Sequence, residues 1–160
     1  MASLDQLPWK YRLLLAAYPW RRVDPTPWSS LQKPLTEARV ALCTSAGLTI
    51  PGDAPFDGSV RGGDCSFRII PDGASTAALR CSHRSGTFDH SGLERDPNLG
   101  FPLDRLHELV ERGRIGSASP RHLSFMGSIT APGRLVKESA PAMASQLVED
   151  AVDVVVFVPV

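Results

Sequence analysis

The sequence predicts an α/β protein with an open, mainly parallel sheet flanked by helices, comparable to half of a Rossmann-like fold. Three patterns support this prediction. The run 154–158 consists of five large apolar residues, and such runs are typical of strands buried on both faces of a parallel sheet. A second apolar run, 39–44, ends at a Ser-Ala-Gly turn. Helical patterns lie between the two runs, and strands that alternate with helices tend to pair in parallel.

Residues 1–37 predict an N-terminal arm with a short helix, because their composition differs from that of the remaining chain. All three tryptophans, both tyrosines and five of the 14 prolines lie in this segment. Apolar residues at helical spacing predict an amphipathic helix over about 7–18, which Pro19 ends. The prolines at 25 and 27 predict an extended chain. We expect the arm to pack on its own domain, and packing on a partner is the alternative.

Residues 38–160 predict one α/β domain, in which short strands are followed by two helices and a last strand. Strands are predicted at 39–44, 66–70 and 78–82, with a long glycine- and proline-rich loop over 47–66. Because no covering helix follows the last apolar run, we expect this domain to be the N-terminal half of a longer one. The alternative is that the last strand closes a small sheet.

The two helices of this domain are predicted from apolar residues at spacings of three and four. The first begins near Pro102, which suits the first turn of a helix, and ends at Gly113. The second runs from about 134 to 149, and we expect Pro141 to kink or divide it. Both helices have one apolar face, so we expect each to cover the sheet.

The charge balance and the cysteine content exclude several classes of protein. Lys plus Arg and Asp plus Glu number 17 each, which argues against a strongly basic nucleic-acid binder and a polybasic membrane-surface protein. The longest apolar run is far shorter than the roughly 20 residues of a transmembrane helix, and no secretory signal is recognisable. Three cysteines, an odd and low number, favour a reducing compartment. We therefore expect a cytoplasmic protein with no nucleic-acid or membrane partner.

The polar residues most suggestive of chemistry lie in glycine-rich loops around the predicted helices. His83 and His90 are seven positions apart, with Asp89 beside the second, and His122 follows later. Such a group suits proton transfer or substrate anchoring. Metal binding is a weaker alternative, because the spacing matches no compact ligand motif. Cys65, in a loop, is the strongest candidate for a reactive thiol, and no Walker A loop, dinucleotide-binding glycine motif or nucleophile elbow is present.

Five sequence blocks, taken in order along the chain, resemble a known enzyme family. The blocks are Val40–Gly47, Gly63–Pro71, Ser82–His90, Asp96–Leu106 and Ile115–Gly127. Together they resemble the selenoprotein B family of glycine, sarcosine and betaine reductase and the related B component of D-proline reductase. The resemblance covers roughly residues 38–160, and the arm is not what carries it. It implies an oxidoreductase component that reductively cleaves a C–N bond of an amino acid or N-methylated amine, with a dithiol as electron donor.

The resemblance also implies where the reacting groups lie. In this family a selenocysteine or redox cysteine follows a strand like 153–158, in a Gly-[Sec/Cys]-Pro-x-Cys turn, and this sequence stops at Val160, where that turn would begin. We therefore expect the attacking group downstream of this chain, no cofactor or metal within it, and no activity from the 160 residues alone. The implied site residues are catalytic His83, Asp89, His90 and His122, with Asn98 and Arg105 for substrate binding.

The roles expected of these residues follow from their ionisable and hydrogen-bonding groups. A histidine can protonate the leaving nitrogen, a neighbouring aspartate can orient that histidine, and an arginine can pair with the carboxylate of the substrate. The expected partners are a small amino-acid-like substrate and either other reductase subunits or a second copy of the chain. Two other functions stay open, a non-catalytic binding or assembly module of the same fold and a metal-dependent hydrolase.

Overall fold

The computed structural model describes residues 8–18, 22–86 and 88–160, which fall into two units, 1–30 and 31–160. In the first unit, α1 spans Trp9–Ala17, and Tyr18 after it is extended with a ψ of 128°. An extended conformation is favoured for a residue that precedes a proline. The predicted start of this helix at residue 7 and its predicted stop at Pro19 lie outside the described residues.

The second unit contains strands and helices on one continuous stretch of chain. Its strands are β1 (Arg39–Thr44), β2 (Leu48–Thr49), β3 (Phe67–Pro71), β4 (Arg80–Cys81), β5 (Ser117–Ala118), β6 (Arg121–Phe125) and β7 (Val154–Val158). Its α-helices are α2 (Ser91–Arg95), α3 (Leu103–Glu111) and α4 (Ala140–Glu149), the last entered through a π-helical turn over Leu135–Ser139. No helix within the described residues is long and apolar enough to cross a lipid bilayer.

β1 is the centre of a mostly parallel sheet, which confirms the predicted fold class. β5 and β6 pair in parallel with successive parts of β1, through Val40 opposite Ala118 and Cys43 opposite Leu123. β7 pairs in parallel with β1 along its full length. β3 is antiparallel to β6, and β2 and β4 form a separate antiparallel pair.

β7 is an exposed strand at its carboxyl half, so the prediction that it is buried on both faces is wrong. Phe157 is 69% exposed, and Val156 is also exposed. Among the described residues its neighbour in the sheet is β1 alone. At its amino half, Val154 and Val155 pack against the two hydrophobic cores described below. The apolar run therefore reflects burial at one end of the strand only.

The two hydrophobic cores follow from the alternation of side chains along β1. Val40 and Leu42 belong to the larger core, which contains residues of α2 and α3. Cys43 belongs to a smaller core with Leu123 and with Met143 of α4. Helices thus pack on the sheet through both cores, as the fold class predicts.

Pro141 does not divide the second predicted helix, which is continuous from the π-helical turn into α4. A proline inside an α-helix lacks an N–H, and its ring collides with the carbonyl group four residues earlier. The π-helical turn widens the backbone just before Pro141, and the proline lies in the first turn of α4. The chain therefore stays helical without the break that the sequence predicts.

Candidate functional site

The candidate site lies at the carboxyl end of β1, where the chain turns into β2. The segment after β4 runs alongside this turn, because the N–H of Ser82 donates to the carbonyl oxygen of Gly47 at 2.9 Å. Gly47 has a φ of +64°, and a side chain there would lie 3.3 Å from the backbone nitrogen of His83. A glycine is thus required both by the turn and by the close approach of His83.

His83 is a buried, neutral histidine with one free hydrogen-bond donor. Its side chain is 8% exposed, and its Nδ1 accepts from the N–H of Ser85 at 3.3 Å. The proton of the neutral ring therefore lies on Nε2, which has no hydrogen-bond partner among the described residues. Burial, followed by the charges of His90 and Arg84, lowers the pKa of His83. At neutral pH this ring therefore has an unused hydrogen-bond donor and carries no charge.

His90 contacts the thiol of Cys81. Its Nε2 lies 3.5 Å from the carbonyl oxygen of Ser85, which only accepts, so Nε2 carries the proton. Its Nδ1 is then an acceptor and lies 3.5 Å from Sγ of Cys81. The same sulfur lies 3.3 Å from the carbonyl oxygen of Ala46. The thiol hydrogen therefore has two acceptors, one of them a base.

The two histidines belong to one aromatic cluster. The ring centroids of His83 and His90 are 6.3 Å apart, and Phe88 lies 5.1 Å from the first and 4.7 Å from the second. A cavity of about 270 Å³ opens beside this cluster, and Cys81 and His90 form part of its wall. The structure thus brings together two of the four predicted catalytic residues, and one of them, His90, lines a cavity.

Three other predicted residues make local structural contacts instead. Asp89 is exposed, and its carboxylate accepts from the N–H of Ser91 at the start of α2 rather than from His90. The side-chain oxygen of Asn98 accepts from the N–H of Asp104 in the first turn of α3. Arg105 lies on the exposed face of α3, paired with Glu108 at 2.8 Å. The expected orientation of His90 by Asp89 is therefore not observed.

His122 lies in a strand, not in a loop as the sequence analysis expects, and belongs to a different network. It is fully buried in β6, where its Nδ1 accepts from the N–H of Leu42 at 3.0 Å. Its Nε2–H donates to Asp72 at 3.1 Å, and the same carboxylate oxygen lies 2.7 Å from Nε2 of His107. Burial lowers the pKa of His122 more than Asp72 raises it. Among the described residues, the hydrogen bonds and ring contact of His122 are to Leu42, Asp72 and Phe101, and none of them is to His83 or His90.

The structure identifies Cys81, rather than Cys65, as the thiol beside a base. Cys43 and Cys65 are both buried, and burial raises the pKa of Cys43 to about 11. Burial is also the largest effect on Cys81 and raises its pKa, whereas a hydrogen bond from the backbone of His83 lowers it. The sequence offered one signal for Cys81, its position two residues before His83 at the end of a predicted strand.

The described residues hold no group of three His, Cys, Asp or Glu side chains arranged for a metal ion. At His122 the reason is visible in the hydrogen bonds. Because Nδ1 accepts a backbone N–H, the neutral ring keeps its proton on Nε2, and neither nitrogen has a free lone pair.

Comparisons with known proteins place this chain in a family. The sequence model of glycine/sarcosine/betaine reductase selenoprotein B matches residues 14–159. The D-proline reductase subunit gamma of Acetoanaerobium sticklandii is 35% identical over 136 residues, which cover 84% of this chain and 54% of that protein. The sarcosine reductase complex component B subunit beta of Peptoclostridium acidaminophilum is 29% identical over 144 residues, 88% of this chain and 32% of that protein.

The chain thus spans about half the length of the first of these relatives and about a third of the second. No solved structure matches it. The family match begins within α1 and ends at the residue before Val160, so it includes every residue of the candidate site. The chain belongs to the selenoprotein B family of glycine, sarcosine and betaine reductase.

Proposed function

We propose that this chain is a subunit of a reductase complex that cleaves the C–N bond of an amino acid or of an N-methylated amino acid. The relatives named above are subunits of a D-proline reductase and a sarcosine reductase, which supports this substrate class. Reductive cleavage needs two electrons and two protons, one for the carbon and one for the leaving nitrogen. The other reductase subunits are the proposed partners.

His83 is the proposed substrate-binding and proton-donating residue, and its free Nε2–H is the observation that carries the proposal. A buried N–H without an acceptor costs about 1–3 kcal/mol, so a ligand that supplies an acceptor gains that energy. A substrate carboxylate oxygen or amine nitrogen is such an acceptor. His90, 6.3 Å away between ring centroids, is the second proposed proton carrier.

The attacking group is proposed to lie outside residues 1–160, on the same polypeptide or on a partner. A selenol or low-pKa thiol supplies a nucleophile for the carbon that bears the amine. Cys43 and Cys65 are buried, and the pKa of Cys81 is raised, so these three thiols fit that role poorly. By itself the 160-residue chain is therefore proposed to be inactive.

The test is turnover by the chain assembled with its native partner subunits. The complex is given D-proline, sarcosine, glycine or betaine with dithiothreitol, and the amine product is quantified. We expect one substrate to be reduced, and we expect His83→Gln to lower kcat by about a hundredfold. His107→Gln, a histidine on α3 outside the cluster, is the matched control and keeps kcat within about twofold.

Turnover of none of the four substrates by the assembled complex would contradict the reductase proposal and favour a non-catalytic assembly role. If a substrate is turned over and His83→Gln matches the wild type in kcat and KM, the reductase assignment holds and the role of His83 is wrong. The folded state of each variant is checked by its melting temperature.

A further inference from the structure

We infer that Cys81 and His90, in contact at the wall of the cavity beside α2, form a thiol-exchange site that reacts with a disulfide or a selenenyl sulfide. This inference rests on the proposed reductase function for the direction of electron flow. It adds a redox role to a cysteine that the sequence analysis assigned to no site. Three features of the geometry support it.

The first feature is an oriented base. The Nε2–H of His90 faces the carbonyl oxygen of Ser85, which fixes the tautomer with its lone pair on Nδ1. That lone pair lies 3.5 Å from the sulfur of Cys81. A nucleophile, a base and a third group that orients the base are the three parts that activate a side-chain nucleophile.

The second feature is the surroundings of the sulfur. Burial keeps Cys81 protonated at neutral pH, so attack requires removal of the proton at the moment of reaction. His90 is placed to take it. A hydrogen bond from the backbone of His83 favours the thiolate that is left, whereas the charge of Glu94, also on the cavity wall, opposes it. Gly47 supports this arrangement, because a side chain there would lie against the backbone nitrogen of His83.

The third feature is access. Cys81 is half-buried and lines the cavity of about 270 Å³, whereas Cys43 and Cys65 are buried in the fold. The cavity has room for one end of a small disulfide or for a single side chain of a partner protein.

The proposed step is an exchange that conserves atoms and electrons. Cys81 transfers its proton to Nδ1 of His90, and its sulfur attacks one atom of the S–S or Se–S bond. A new bond to Cys81 forms as the old bond breaks, and the departing thiolate or selenolate takes the proton from His90. A dithiol donor then reduces the mixed species and restores Cys81, so the site passes two electrons toward the oxidised reactant.

The experiment uses the full chain and the aromatic disulfide 5,5′-dithiobis(2-nitrobenzoic acid), whose released thiolate is coloured. Under native conditions we expect one fast equivalent, and peptide mapping by mass spectrometry is expected to find the adduct on Cys81. Cys81→Ser abolishes the fast phase, whereas Cys65→Ser, the matched control, retains it. His90→Gln slows the fast phase by about tenfold or more, while the thiol count in denaturant is unchanged.

A fast adduct on Cys43 or Cys65, or an unchanged rate in folded His90→Gln, would overturn the inference. The mapping in the wild-type chain requires no variant, so it decides the identity of the reactive thiol even if a substitution impairs folding. Reductase turnover is measured separately. A complex that reduces substrate normally with Cys81→Ser refutes the exchange role and leaves the proposed function intact.

Discussion

Replacement of Asp72 by alanine tests the buried network around His122. The side chain of His122 is fully buried, and its Nε2–H donates to Asp72. Without the carboxylate this donor loses its acceptor, which costs about 1–3 kcal/mol. The half-exposed bond to His107 adds about 0.5 kcal/mol. We therefore expect Asp72→Ala to lower the free energy of unfolding by about 1.5–3.5 kcal/mol, with the lower value if water enters the space.

The assay is urea and thermal unfolding followed by circular dichroism. A loss of about 1.5–3.5 kcal/mol corresponds to a melting temperature lower by about 3–14 °C. Asp72→Asn keeps an oxygen that accepts from His122, so its loss is expected to be about half as large. Glu108→Ala removes an exposed partner of Arg105 and serves as the control, with a change within about 0.5 kcal/mol.

The same variant has a predicted pH dependence. Burial raises the pKa of Asp72, but the hydrogen bonds from His107 and His122 outweigh it, and the pKa lies below its usual value. A carboxyl group with a lowered pKa stabilises the fold above its unfolded pKa of about 3.9, and this stability is lost as the pH falls through the folded pKa. The difference in the free energy of unfolding between wild type and Asp72→Ala should persist at pH 5 and shrink below about pH 4. A melting temperature within 1 °C of wild type at pH 7 would refute the reasoning.

Three further predictions concern the whole chain. The wild type should lose stability as the pH falls below about 6.5. The pKa values of buried His83 and His122 are lowered in the fold, so just below this pH only the unfolded state binds their protons. Equal urea midpoints at pH 7 and pH 5 would contradict this. The isolated 160-residue chain should not reduce glycine, sarcosine, betaine or D-proline with a dithiol, and product above the blank would disprove it. The exposed apolar half of β7 should cause self-association that Phe157→Lys weakens, and sedimentation of a wild-type monomer throughout the micromolar range would exclude this.

The parts of the fold that were predictable are those whose signal is local. β1, α3 and the run that forms β7 follow from apolar periodicity. The observed β1 begins and ends at the predicted residues, and β7 ends at the predicted residue and begins within one residue of the predicted start. β6 was not predicted, because His122 and Ser124 interrupt its apolar pattern. Both polar side chains are satisfied by backbone donors about 80 residues away in sequence, at Leu42 and Leu48. Contacts with such distant residues produce no recognisable pattern in the sequence around β6.

The candidate site was predictable to a similar extent. His83 and His90 lie close in sequence, and their meeting follows from one loop. The pairing of Cys81 with His90 depends on the antiparallel pairing of β2 with β4, which are two residues each. Strands that short carry almost no periodicity, so the position of Cys81 two residues before His83 was a weak signal that this thiol lies beside a base.

The imidazole of His122 takes the place of a peptide carbonyl in the sheet. The N–H of Leu42 donates to this ring, at the point where Ser119 and Pro120 separate β5 from β6. Amide exchange at Leu42 is therefore governed by a side chain in the middle of β1. Protonation of that ring, or its replacement, would release a single amide of β1 to solvent exchange while its neighbours stay protected. Hydrogen exchange at the Leu42 amide of β1 would therefore report directly on protonation of the buried His122 ring.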